Sequence, residues 1–167
     1  MLGVLTAQYF DRGHFLKDSA DHSISARDVA DVHDFLIDLE VNADHLLFIL
    51  LSADGSINRI GSGNFKDKSR DMFIGMTDPS IFERVRSHLT EAMLQGLGHS
   101  FQPQNIRGAP CKLTLLFQFN DRTSGRSEYL YGSESLGPPS DIVDFVRAAV
   151  GETEGWYQEQ LRMPPTL

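Results

Sequence analysis

The sequence predicts an α+β domain with a largely antiparallel sheet, and three observations carry that prediction. Two segments, "LLFILLSADGSINRIG" and "CKLTLLFQFNDRTSGRSEYLYG", place turn-forming residues between strand-like runs and read as β-hairpins. Other stretches show a helical apolar period opened by a capping residue. Strands separated by a helix at every step, the mark of a parallel sheet, do not occur. The expected architecture is a single domain over residues 1–167: two hairpins, one further strand and about three helices. A chain of this length can bury roughly 70% of the surface its unfolded form exposes, so its core needs no staple.

Residues 1–23 resist assignment, although "VLTAQYF" has the composition of a short strand. From Ser25, "SARDVADVHDFLIDLE" reads as a helix. Ser25 suits the N-cap and Asp28 the first turn, and Val29, Val32, Phe35, Leu36 and Leu39 make an apolar stripe. The first hairpin follows, with Asp54-Gly55 as a two-residue turn. That turn sets Leu51 opposite Asn58, Leu50 opposite Arg59 and Phe48 opposite Gly61. Its first strand is apolar on both faces and belongs in the middle of the sheet. The return strand is mixed and lies nearer an edge.

"DMFIGM" supplies the further strand, and Asp78-Pro79 opens a helix with Phe82, Val85, Leu89 and Met93 on one face. Gly96 and Gly98 are its natural stops. In the second hairpin Leu113, Leu115, Phe117 and Phe119 alternate on one strand, and Tyr129 and Tyr131 on the other. "PPSDIVDFVRAAV" is a capped helix carrying Ile142, Phe145, Val146 and Ala149; Gly151 separates it from a short terminal helix, "TEGWYQEQLRM". Residues 163–167, with two prolines, are expected to form an unordered tail.

Composition narrows function mainly by exclusion. The net charge of −8 argues against nucleic acid, whose binding rests on Lys and Arg neutralising phosphates, and against an anionic membrane surface. "MLGVLTAQYFDRG" lacks the basic and apolar regions of a secretory signal, and no apolar run approaches the ~20 residues that span a bilayer. A cytoplasmic protein is expected. Cys111 is the single cysteine, which rules out an intramolecular disulfide and a cysteine-based zinc site. His14, His22, His33, His45, His88 and His99 have no ligand spacing, so no metal and no cofactor are expected. "GSGN" leads into "FKDKSR" and not into a helix, which removes the context a phosphate loop needs. "DGSINRIG" lacks the alternating ligands of a calcium loop. No nucleophile motif or carboxylate pair points to catalysis.

Two charged features remain. Arg59, Lys66, Lys68 and Arg70 form the one basic stretch of an acidic chain. By the expected register Arg59 shares a sheet face with Phe48, Leu50 and Ile57. It must reach the rim, hold a carboxylate or phosphate ligand, or meet an internal acid, because an unpaired buried charge is very costly. Asp31, Asp34 and Asp38 line the outer face of the first expected helix, with Glu40 just beyond and Arg27 as the lone offset. The like-charged Asp34 and Asp38 pair at i,i+4 costs that helix about 0.2–0.5 kcal/mol. The expected function is therefore a non-enzymatic protein-binding module, an acidic inhibitor or immunity-type protein docking on a basic partner through Asp31, Asp34, Asp38 and Glu40. The alternative is a small-molecule binder or enzyme with an anionic ligand near Arg59.

Overall fold

Residues Val32–Val41, expected as the body of a helix, form instead a ten-residue strand, β1, at the centre of the sheet. The computed structural model describes residues 27–67 and 71–163. Two periods compete in this segment. Leu36 and Leu39 fit a helical stripe, but Phe35, Ile37, Leu39 and Val41 also alternate with Asp34, Asp38 and Glu40. Long-range pairing decides between them: β1 is hydrogen-bonded on both sides, to β2 (Asp44–Ser52) and to β6 (Pro110–Phe119). There Val32 and, after a bulge, Phe35, Ile37, Leu39 and Val41 enter the core at 0–4% exposure, and β-branched Val32, Ile37 and Val41 suit a pleated surface. Among the described residues of that segment only Val29–Asp31 keeps a helical turn, of the 3₁₀ type, with the Asp28 carboxylate accepting from the Ala30 amide at 2.9 Å; the expected cap Ser25 lies outside them.

β1 turns into β2 through Asn42 and Ala43, both with positive φ (51° and 65°). This is a third hairpin, which "VNAD" conceals because it lacks the glycine that usually advertises such a turn. The next loop joins β2 to β3 (Ser56–Ile60) and differs from expectation by one residue. Its three residues are Ala53, Asp54 and Gly55; Gly55 adopts φ +92° and donates to the Ser52 carbonyl at 2.9 Å. The register becomes Ile49 opposite Arg59, Leu50 opposite Asn58 and Phe48 opposite Ile60. A slip of one residue turns a strand over. Arg59 thus shares its face with Ile49, Leu51 and Ile57, not with Phe48 and Leu50.

β4 (Met72–Met76) is the further strand, paired antiparallel with β3. β6 and β7 (Ser124–Gly132) form the expected hairpin, and the two-residue β5 (Ser100–Phe101) lies parallel to β7. The order β4-β3-β2-β1-β6-β7-β5 gives a seven-stranded sheet, antiparallel except at that last pair. The α+β single-domain expectation holds, with a different set of helices. α1 (Pro79–Arg86) and α2 (Glu91–Gln95) replace one expected helix, because Thr90 caps a new start by accepting from the Met93 amide at 3.2 Å. α3 (Ser140–Arg162) runs unbroken through Gly151 over 23 residues. Residues 1–23 and 164–167, whose strand and tail expectations stand above, lie outside the described residues.

The helices cover one face of the sheet. Phe145 of α3 sits between Phe35 of β1 (ring centroids 5.2 Å) and Phe117 of β6 (5.7 Å), and Phe82 of α1 stacks on Phe35 at 5.8 Å. Cys111 lies at the margin of this layer, 3% exposed, and burial pushes its thiol up to about 11. At pH 8 only about one thiol in a thousand is then ionised, and the thiolate is the reactive form. Native protein should consume a thiol reagent such as DTNB at least a hundredfold more slowly than unfolded protein. Equal rates in the two states would contradict the burial of Cys111. Among the described residues no helix is long and apolar enough to cross a membrane.

Candidate functional site: the open sheet face and the buried arginine

Apart from core residues Val32 and Leu46 beside the bulges, the even-numbered positions of the strands point away from the helices, and β1 places Asp34, Leu36, Asp38 and Glu40 there. Three of the four residues expected on an acidic helix are thus together, but on a strand. Asp31 stands apart in the 3₁₀ turn at the foot of β1, where its carbonyl accepts from the Asn120 amide at 2.9 Å. The carboxylates are half-sunk among their neighbours. His45 Nδ1 donates to Asp38 Oδ1 at 2.7 Å, and Lys112 Nζ lies 2.9 Å from Glu40 Oε1. That hydrogen bond holds the Lys112 ammonium above its ordinary pKa. Asp34 Oδ2 lies 3.0 Å from His33 Nδ1.

Across the sheet the pairing builds rows from these residues. One runs Met72, Ile60, Phe48, Asp38, Thr114, Glu128; the next runs Ile74, Asn58, Leu50, Leu36, Leu116, Arg126. Arg126 and Glu128 form an ion pair within β7. The face therefore divides. Its β4–β2 half is mainly apolar, with Ile74 71%, Met76 60% and Met72 48% exposed around Asn58 and Ser56, whereas its β1–β7 half is mixed and carries the acids beside Leu36 and Leu116. Among the described residues no helix packs over it. The side-chain donors of Asp38, Glu40 and His45 lie within 4.8 Å of one another and could hold a cation. His45 and Lys112 already bond those carboxylates from inside the chain, and Lys112 gives the cluster a counter-charge of its own.

Arg59 is fully buried, at 0% exposure, on the opposite face. Nε donates to the Gly61 carbonyl at 3.2 Å; Nη1 donates to the Val150 carbonyl at 3.3 Å and to Thr153 Oγ1 at 2.8 Å; Nη2 donates to Glu154 Oε2 at 2.7 Å. The guanidinium also stacks on the Tyr157 ring at 4.3 Å. Gln158 Nε2 steadies the other oxygen of Glu154 at 2.8 Å. Burial pulls the Arg59 pKa below its ordinary value and Glu154 opposes that, yet an arginine starts so high that it stays charged at neutral pH. The internal acid is thus the partner, and the rim exit is not taken. An anion from solution meets no open face of this guanidinium. Lys66 is exposed in the loop after β3 and does not join Arg59, and Lys68 and Arg70 lie outside the described residues.

Sequence reasoning missed Thr153, Glu154 and Tyr157, which come to Arg59 from more than ninety residues away. The one available signal was polar Thr153 within the apolar row Phe145, Ala149, Tyr157 of α3. It missed His45 and Lys112 because their positions follow from the strand register of β1. The exposed Met72, Ile74 and Met76 row was readable in the alternation of "DMFIGM". Comparison with known protein families, curated proteins and solved structures finds no match to this chain.

Proposed function

We propose that the chain is a protein-binding module that meets a basic partner surface with the open face of its sheet, as an acidic inhibitor or immunity-type protein would. One observation carries this reading: the exposed apolar patch of Met72, Ile74 and Met76 continues through Ile60, Phe48 and Leu50 into the strip of Asp34, Asp38 and Glu40. An apolar centre beside a charged rim is the anatomy of a protein interface. Burying one such side chain completely is worth about 1.5–3 kcal/mol, so a few suffice for useful affinity. The acids add steering and salt sensitivity more than strength. A cytoplasmic site of action fits a chain whose single cysteine is a free thiol. The small-anion alternative at Arg59 has less support, because the protein itself engages the donors of that guanidinium.

The test is charge reversal away from the Asp38–His45 and Glu40–Lys112 pairs. Asp31→Lys combined with Asp34→Lys touches no hydrogen bond between strands, so melting should shift by no more than a few degrees. Affinity for the partner isolated with the wild-type chain should fall at least tenfold, about 1.4 kcal/mol, and the fall should shrink as salt rises. An unchanged affinity at low salt would sink the acidic-face reading.

A further inference from the structure

We propose that the outer edge of β4, which no strand among the described residues pairs, is a slot for an extended segment of a partner polypeptide, which adds as a further strand beneath the projecting end of α3. The inference rests on the protein-binding reading above and names the element of the partner that is held.

The edge itself is the first ground. Natural sheets blunt exposed edges with charged residues, proline, bulges or very short strands. At the far side of this sheet β5 has two residues. β4 uses none of these devices: Met-Phe-Ile-Gly-Met carries no charge and no proline, and its register with β3 is regular from Met72 to Met76.

The second ground is the helix above it. α3 crosses the sheet from its middle toward β4. Phe145 lies over β1 and β6, Thr153 meets Arg59 of β3, and Tyr157 and Trp156 meet Phe73 and Gly75 of β4. A Cβ on Gly75 would stand 3.0 Å from the Trp156 ring, so glycine is what lets the helix settle this close to the edge strand. Phe145, Ala149, Thr153 and Tyr157, each four residues after the last, are all 0% exposed. Leu161 is the next residue of that row, and it is 39% exposed. Helical side chains lean toward the N-terminus, so the backbone at Tyr157 stands over or past β4. The five residues after Tyr157, ending at Arg162, extend roughly 7–8 Å further at ~1.5 Å each. That is about one and a half strand spacings of ~4.8 Å. The roof outreaches the floor by about one strand, and Leu161 and Met163 (60% exposed) are apolar with no strand of the described residues beyond β4 to meet them.

The occupant follows from this geometry. A second copy pairing β4 with β4 about a twofold axis through Ile74 would drive each projecting helix end into the other copy's α3, which already covers that ground. The slot therefore suits a segment without a helix of its own on that side. Its residues should be apolar where they meet Leu161 and Met163 and where they continue the Met72, Ile74, Met76 row. Exposed Asp71 and Asp78 bracket β4 at its two ends, and Lys or Arg flanking the apolar stretch complements them.

The experiment uses the full chain, labelled with ¹⁵N, and a synthetic nonapeptide alternating valine and threonine with lysine at both ends. Amide signals of residues 72–76 and 161–163 should shift, and the outward amides of β4 should gain at least tenfold protection from exchange. Replacing the terminal lysines with glutamates should weaken binding at least tenfold. So should Ile74→Lys, which changes an exposed side chain and should leave melting almost unchanged. No protection at millimolar peptide would overturn the proposal, as would equal binding by a peptide N-methylated at alternate residues. So would outward β4 amides already as slow as those of β1 in the free chain, or a β4-protected dimer on concentration. A silent β4 with the charge-reversal result intact removes the slot alone. A responsive β4 with charge reversal without effect removes the acidic face and keeps the slot.

Discussion

Arg59→Ala should destabilise the chain by about 3–5 kcal/mol, the range for removing one partner of a buried charge pair. Arg59 is the largest fully buried side chain among the described residues, and removing its guanidinium strands the carbonyls of Gly61 and Val150 and empties the space against Tyr157. Glu154 is 39% exposed and can rehydrate, which sets the expectation near the lower end. In a domain of this size a loss of about 3 kcal/mol lowers Tm by roughly 6–12 °C. Glu154→Gln keeps an acceptor for Nη2 but leaves the buried guanidinium without its carboxylate, and because that partner is half-exposed it should cost less, about 1.5–3 kcal/mol. Thermal melts of the two variants give the comparison. A silent Arg59→Ala would mean that the guanidinium lies at the surface, and would return it to the list of ligand contacts.

The second large effect is expected at Phe145. Its ring bridges Phe35 and Phe117, so it joins α3 to both strands at the middle of the sheet. Phe145→Ala removes that contact and leaves a void that packed neighbours fill only in part, at a cost of about 3–5 kcal/mol. Urea unfolding should show the midpoint falling while the slope stays constant, since the surface exposed on unfolding hardly changes. A loss under 1 kcal/mol would place Phe145 outside the core. Phe145→Leu, which keeps most of the volume, should recover a good part of the loss.

These residues show what was legible before the structure. Alternation in β6 and β7 was unambiguous because both strands expose one polar face, so Leu113, Leu115, Phe117 and Tyr129 read directly as core. Asp78-Pro79 announced α1 through local chemistry alone. β1 misled because Leu36, an apolar residue on the open face, completed a helical stripe. Only the distant partner β6 could resolve that, and no local rule sees it. The β2–β3 loop misled by one residue because Asp-Gly fits both a two-residue turn and the last positions of a three-residue loop. That slip was enough to misplace the surroundings of Arg59; its apolar neighbours left three outcomes, a rim exit, an anionic ligand and an internal acid, and the structure shows the internal acid. The carboxylates Asp34, Asp38 and Glu40 were legible as a group and illegible as a shape. Glu154 and Thr153 were invisible as partners, since nothing local to α3 points across more than ninety residues to β3.

The central place of β1 also governs the order in which the chain can assemble. Its pairing with β2 closes a loop of two residues, and the meander β1–β4 accumulates by short steps. Its other side waits for β6, with Val41 joined to Cys111 and Val32 to Phe119, contacts that close only after about seventy or more residues of chain have been made. Synthesis at ~5–20 residues per second leaves that apolar flank uncovered for several seconds on the ribosome. Non-local strand pairing is the slow step of such topologies. The nascent first half is therefore an incomplete sheet with a sticky central edge, and the chain depends during those seconds on whatever shields it.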